Sequence, residues 1–219
     1  MAKKENSKFK NYIDYETPII KFLNPEQTKL AEEHLTIIKA LRANKYMTAK
    51  EIHELYIDEE TNKHTYTIKT IYRYLEKLEE AELVKISGHR LTEGKRLSEK
   101  LYTRTADIFL KDKKEEVYPE VAEKRKEHLK KLYTVLENID NKPLINYNVF
   151  EKLMLKMFDL EQEYNRDIVA KIPKSKILTD LYINIDIDSV NYINDLASSL
   201  LVLIKDPELI KKLQETYQE

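Results

Sequence analysis

The sequence predicts a mainly α-helical chain with one β-hairpin, in two modest domains behind a short N-terminal arm. Three observations carry that expectation. The 219 residues include only two glycines, Gly88 and Gly94, too few for the many tight turns of a sandwich, barrel or propeller. Charged residues reach 35 % against 42 % apolar, a balance that suits helices with solvated outer faces. Apolar residues recur at helical spacing over most of the length, and the period shortens to two only past Ala81.

Residues 1–23 mix charge with isolated apolar positions, Phe9, Tyr12, Ile13, Ile19, Ile20 and Phe22, and read as an arm without a core of its own, able to drape over a partner subunit. At Asn24-Pro25-Glu26-Gln27 a capping residue, a proline at the first helical position and a glutamine three residues after the cap start a helix. Its apolar face runs through Leu30, His34, Leu35, Ile37, Ile38 and Leu41 to about Asn44. Thr48 with Glu51 opens a second, short helix that buries Ile52 and Leu55. A polar stretch over 58–64 separates it from a third, which Thr67 caps while Tyr66 and Ile71 flank the cap as a hydrophobic staple.

The third helix is the most informative element. Ile68, Ile71, Tyr72, Leu75 and Leu78 form its predicted dry side, and Lys69, Thr70, Arg73, Tyr74 and Lys77 line the other. Alternation from Leu83 to Ser87 predicts the first strand of the hairpin, residues 100–106 the second, with a long polar connection over 89–99. Beyond it, helices are expected over about 112–139, 148–172 and 188–203, with a last one opened by Asp206-Pro207. Residues 177–187 fit helix or strand equally.

Three helices followed by a two-stranded ribbon with a charged loop is the order of a winged helix-turn-helix domain, here over residues 24–110, with a C-terminal helical domain over 111–219. The segment Thr67-Ile-Lys-Thr-Ile-Tyr-Arg-Tyr-Leu-Glu-Lys-Leu-Glu-Glu-Ala-Glu-Leu-Val resembles the recognition helix and first wing strand of winged-helix transcription regulators, especially ArsR-like archaeal ones. It departs from them at Glu82, where most relatives carry glycine for a left-handed backbone. The resemblance implies a regulator that lays the third helix in the major groove of double-stranded DNA. The same helix also resembles ferric-uptake-type metal sensors, but those depend on histidine clusters and often cysteine pairs. His34, His53, His64, His89 and His128 are scattered singly, so no metal and no other cofactor is expected.

The residues carry the same chemistry. Arg73 can fork onto a guanine edge, Lys69 and Lys77 can reach phosphates, and Thr67, Thr70 and Tyr74 can make shorter hydrogen bonds to either. An isolated basic stripe is more often a solvated helix face. What shifts the balance is the wing, where Lys85, Arg90, Lys95, Arg96, Lys100 and Arg104 stand against only Glu93 and Glu99, in a chain whose net charge is −1. The alternative is a winged helix that binds proteins rather than DNA.

Other functions lack their residues. Without cysteine there is no disulfide or thiol nucleophile, and two glycines six residues apart make no phosphate loop. The carboxylates form no catalytic constellation, so no enzyme is expected. The first ten residues are too polar for a signal peptide, and no uncharged apolar run is long enough to cross a bilayer. The expectation is a cytoplasmic, nucleoid-associated protein without a membrane partner. In the second half, Phe150, Met154, Met157, Phe158 and Tyr164 read as core or homodimer interface, or less readily as the lining of a pocket for a small apolar effector.

Overall fold

The computed structural model describes residues 9–93, 97–112, 119–139 and 146–218. The chain is mostly helical with a small antiparallel sheet, and it divides into two compact units: Met1–Lys111 with Asp180–Ile187, and Asp112–Thr179 with Asp188–Glu219.

In the first unit the predicted arm takes on structure. Strand β1 (Phe9–Ile13) and strand β2 (Ile20–Leu23) both pair with segments about 80 residues further on, β1 antiparallel to β6 (Val84–Thr92) and β2 parallel to β8 (Ile108–Lys111). Helix α1 (Pro25–Glu33) begins as its sequence dictates: Gln27 N–H donates to Asn24 Oδ1 at 2.8 Å and Asn24 N–H to Gln27 Oε1 at 3.1 Å. The single helix predicted to Asn44 is instead two, because the backbone breaks at His34 (φ −113°, ψ 33°) before α2 (Leu35–Asn44).

Strand β3 (Met47–Thr48) leads through the Thr48–Glu51 capping box into α3 (Ala49–Glu54). The polar stretch that follows is a small hairpin of β4 (Ile57–Asp58) and β5 (Lys63–His64), turned by Asn62 at φ 51° and pinned by Thr61 N–H donating to Asp58 Oδ1 at 2.7 Å. Helix α4 (Ile68–Glu80) is capped by Thr67, whose Oγ1 accepts from Thr70 N–H at 3.2 Å. Strand β7 (Glu99–Arg104) completes a sheet ordered β1-β6-β7-β3. Because β6 runs on to Thr92, the stretch expected as loop over 89–99 is in good part strand.

The end of α4 shows how a residue with a side chain is held where glycine is usual. Glu82 sits at φ 54°, a conformation that costs a non-glycine residue about 1–2 kcal/mol. Leu83 N–H donates to the Leu78 carbonyl at 2.8 Å and Glu82 N–H to the Glu79 carbonyl at 2.9 Å, the two bonds of a Schellman cap. The carbonyls this leaves are satisfied from neighbouring elements: Gln27 Nε2 donates to the Ala81 carbonyl at 2.9 Å, and Thr105 Oγ1 to the Glu82 carbonyl at 2.6 Å. Leu83 is fully buried behind the cap. Gly88 meets a different need. At φ 146°, an added Cβ would lie 1.9 Å from the Tyr12 carbonyl oxygen, so β1 can lie against β6 only over a glycine.

The core of this unit gathers Ile37 and Leu41 of α2, Ile52 of α3, Ile71, Leu75 and Leu78 of α4, and Leu83, Val84 and Tyr102. Ile187 packs on it, from the part of the second half that belongs to the first unit. One pair is exchanged relative to the sequence reading. Tyr74, placed on the outer face of α4, packs against the core, whereas Tyr72, placed inside, is half exposed.

The second unit is helical. It contains α5 (Pro119–Ile139), α6 (Tyr147–Lys171), a 3-10 turn (Ile172–Lys174), the start of α7 (Lys176–Ile183), most of α8 (Ile187–Lys205) and α9 (Pro207–Gln218). The ambiguous 177–187 stretch is thus helical over most of its length. Leu129, Phe150 and Met154 form one buried cluster of the unit, with Tyr133, Leu136, Met157, Phe158 and Leu213 around them, and Ile172, Val190, Val202 and Leu209 are buried as well.

Candidate nucleic-acid interface

Helix α4 is amphipathic in a simple way. Its buried residues are Ile71, Leu75 and Leu78, and Lys69, Arg73 and Lys77 are all exposed. Three cations at i, i+4 and i+8 stand in line along one face, about 12 Å from first to last. Glu76 and Glu80 are exposed on the same helix, so the row is a stripe and not a patch. The other predicted contacts of α4 are placed differently. The Thr67 and Thr70 hydroxyls lie 3.0 Å apart and serve the cap. Tyr74 is half-buried against His34 and Tyr66, at ring-centroid separations of 4.6 and 5.6 Å.

The hairpin presents much less charge than its sequence contains. Arg90 is buried: Nε donates to Asn11 Oδ1 at 2.7 Å, the guanidinium pairs with Glu51, and it lies over the Phe9 ring at 4.1 Å. It ties β1 and α3 to β6 and cannot also reach a phosphate, which corrects its expected role. Arg104 is buried over Phe109 at 4.3 Å, where desolvation, with Arg42 adding to it against Asp107, lowers its pKa to about 10. Lys85 is exposed beside the Tyr15 ring, and Lys100 is exposed near the hairpin's end. Lys95 and Arg96 lie outside the described residues.

Between α4, the start of α3 and the start of β7 lies a cleft of about 720 Å³, lined by Lys50, Tyr72, Leu97, Glu99, Lys100 and Tyr102 among others. Lys50 pairs with Glu99, and that hydrogen bond, reinforced by the carboxylate's charge, raises the lysine's pKa. Burial, with smaller contributions from Glu79 and Tyr72, pushes the Tyr102 phenol up to about 12. The sequence reading missed Lys50 and Tyr72. The signal available was their spacing: Tyr72 adjoins Arg73 on the helix, and Lys50 lies two residues after the capping Thr48.

In the second unit, Phe150 and Met154 are buried in a core cluster with Leu129. Met157 and Phe158 pack around that core, and Tyr164 donates to Asp206 at 2.7 Å. A recess of about 310 Å³ elsewhere on α6 shares only Phe158 with the stripe and is otherwise polar, with Arg125, Glu161, Asn165 and Asp195 on its walls. That lining does not suit the apolar effector the stripe suggested.

No family model matches the chain, and no curated protein is significantly similar to it. No helix among the described residues is long and apolar enough to cross a membrane.

Proposed function

We propose that the chain is a winged helix-turn-helix regulator of transcription, ArsR-like in type, that binds duplex DNA through α4. The single observation that carries this reading is the line of Lys69, Arg73 and Lys77, exposed over a helix face that is completely buried at Ile71, Leu75 and Leu78. A rod held rigidly from beneath and lined with donors above is what a major groove accepts. Arg73, central in the row, reads a base edge, and Lys69 and Lys77 take phosphates on either side. Lys100 contacts the backbone from the hairpin. On this reading the protein carries out no reaction.

The regulator acts as a homodimer. The apolar stripe of α6 is largely used internally, whereas on α8 Ile193, Leu196, Leu200 and Leu203 are exposed at the 3-4-3 spacing of a helix that pairs with a copy of itself. The operator is then a near-palindrome with half-sites about 10 base pairs apart or a multiple of that. Sedimentation of the intact protein tests the dimer, and a monomer at tens of micromolar would remove both the dimer and the palindrome. The protein-binding alternative draws on Tyr72 and Leu97, exposed at the cleft beside α4. Selection of bound fragments from random duplex DNA separates the two readings: an enriched motif supports the regulator, and the absence of any enrichment supports the scaffold.

A further inference from the structure

We propose that His53, Glu54 and His64 form a binding site for one divalent cation of the zinc, cobalt or nickel kind. The inference is independent of DNA binding. His53 and Glu54 end α3, His64 ends β5, and the β4–β5 hairpin folds the second histidine back onto the first: the rings stack at 3.7 Å between centroids. The Glu54 carboxylate stands 3.8 Å from His64 Nε2, and the ligand atoms of all three residues fall within 4.8 Å of one another.

The hydrogen bonds at the cluster's back define which nitrogens are free. His53 Nε2 lies 2.7 Å from the Tyr66 carbonyl oxygen, and His64 Nδ1 lies 3.3 Å from the His53 carbonyl oxygen. A carbonyl can only accept, so each of these nitrogens carries the proton and donates it. The lone pairs are left on His53 Nδ1 and His64 Nε2. A backbone carbonyl that accepts from an imidazole's second nitrogen sets its tautomer beforehand, as it does for metal-ligating histidines. Two imidazoles and a carboxylate suit borderline ions; magnesium and calcium prefer oxygen ligands throughout.

The same geometry states what binding requires. Ligands on one such ion stand about 3.3 Å apart, given metal–ligand bonds near 2.0–2.1 Å. Parallel ring planes also do not share a point to which both lone pairs aim. His64 must therefore turn out of the stack toward Glu54, which is open to it because β5 is a two-residue strand exposed at both positions. Water completes the coordination.

The test is titration of the full chain with Co²⁺, followed by visible absorbance, and with Zn²⁺, followed by calorimetry. One ion per chain is expected, with a dissociation constant in the micromolar range or tighter, unaffected by excess Mg²⁺. His64→Ala and Glu54→Gln, both changes at exposed side chains, should each weaken binding about tenfold or more. His128→Ala, in the other unit, should leave it unchanged. Circular dichroism of each variant separates lost ligation from lost folding. If the wild-type chain binds neither ion saturably, or if His64→Ala and Glu54→Gln bind as the wild type does, the site does not exist and the stacked pair merely closes the hairpin.

Discussion

Helix α4 and the β6–β7 hairpin each carry a run of basic residues, yet they use them in opposite ways. On α4 the lysines and arginine stand in solvent above a row of buried leucines and an isoleucine. In the hairpin both described arginines turn inward, Arg90 to Asn11, Glu51 and Phe9, and Arg104 to Phe109. Arginine's long stem and flat head suit it to be buried against aromatic rings and carboxylates, whereas lysine is left at the surface. A net charge counted along a hairpin is therefore not the charge it presents, and the electrostatic argument for DNA rests on α4.

The difference predicts separable phenotypes. The largest effect expected is on stability, from Arg90→Met: loss of hydrogen bonds made by a buried guanidinium should cost about 2–3 kcal/mol and loosen β1, read as a lowered denaturant midpoint and faster amide exchange over residues 9–13. Specific DNA binding at a temperature where the variant remains folded should be little changed. Arg73→Ala should do the reverse. It should leave the midpoint within about 0.5 kcal/mol and relax discrimination at one base pair by about 1–3 kcal/mol, measured by binding to single-base variants of the selected site.

Smaller effects test the frame that holds α4. Glu82→Gly should stabilise by about 0.5–1 kcal/mol, since it relieves the left-handed strain and gives up only an exposed pair with Lys21. A destabilised variant would mean that the Lys21 contacts matter more than the backbone conformation. The smallest effect concerns pH. Burial holds the His34 imidazole below its ordinary value of 6.5, with Lys77 adding to the shift and Glu33 opposing it. The unfolded chain therefore takes up the proton first, so stability is intact above about pH 6.5 and declines as the pH falls through it. His34→Phe should flatten that decline in denaturation measured at successive pH values.

Local signals in the sequence proved readable where a short-range bond decides the outcome. Both capping boxes, Asn24 with Gln27 and Thr48 with Glu51, form as written, because partners three residues apart meet with little competition. The left-handed position at Glu82 was legible only through the resemblance, which places a glycine there. What could not be read is what the chain brings together from a distance. All five residues of β1 are exposed, so no alternation marks it, and its partners lie about 80 residues away. The meeting of His53 with His64 depends on the β4–β5 turn, and nothing in their spacing of eleven residues announces it. The exchange of Tyr72 and Tyr74 is a phase error: the two flank Arg73 by about 100° each, and only the packing of Tyr74 on His34 and Tyr66 decides which goes inward.

The most direct measurement is the affinity of the intact protein for labelled duplex DNA as salt is raised. Three cations per chain, Lys69, Lys77 and Lys100, set against phosphates predict a log–log slope of about −3 per bound chain. Removing Lys77 should make it shallower by about one, whereas Arg90→Met should leave it unchanged. A flat response, or no binding at low salt, would contradict the assignment of α4 to DNA, as would a slope that changed with Arg90 and not with Lys77.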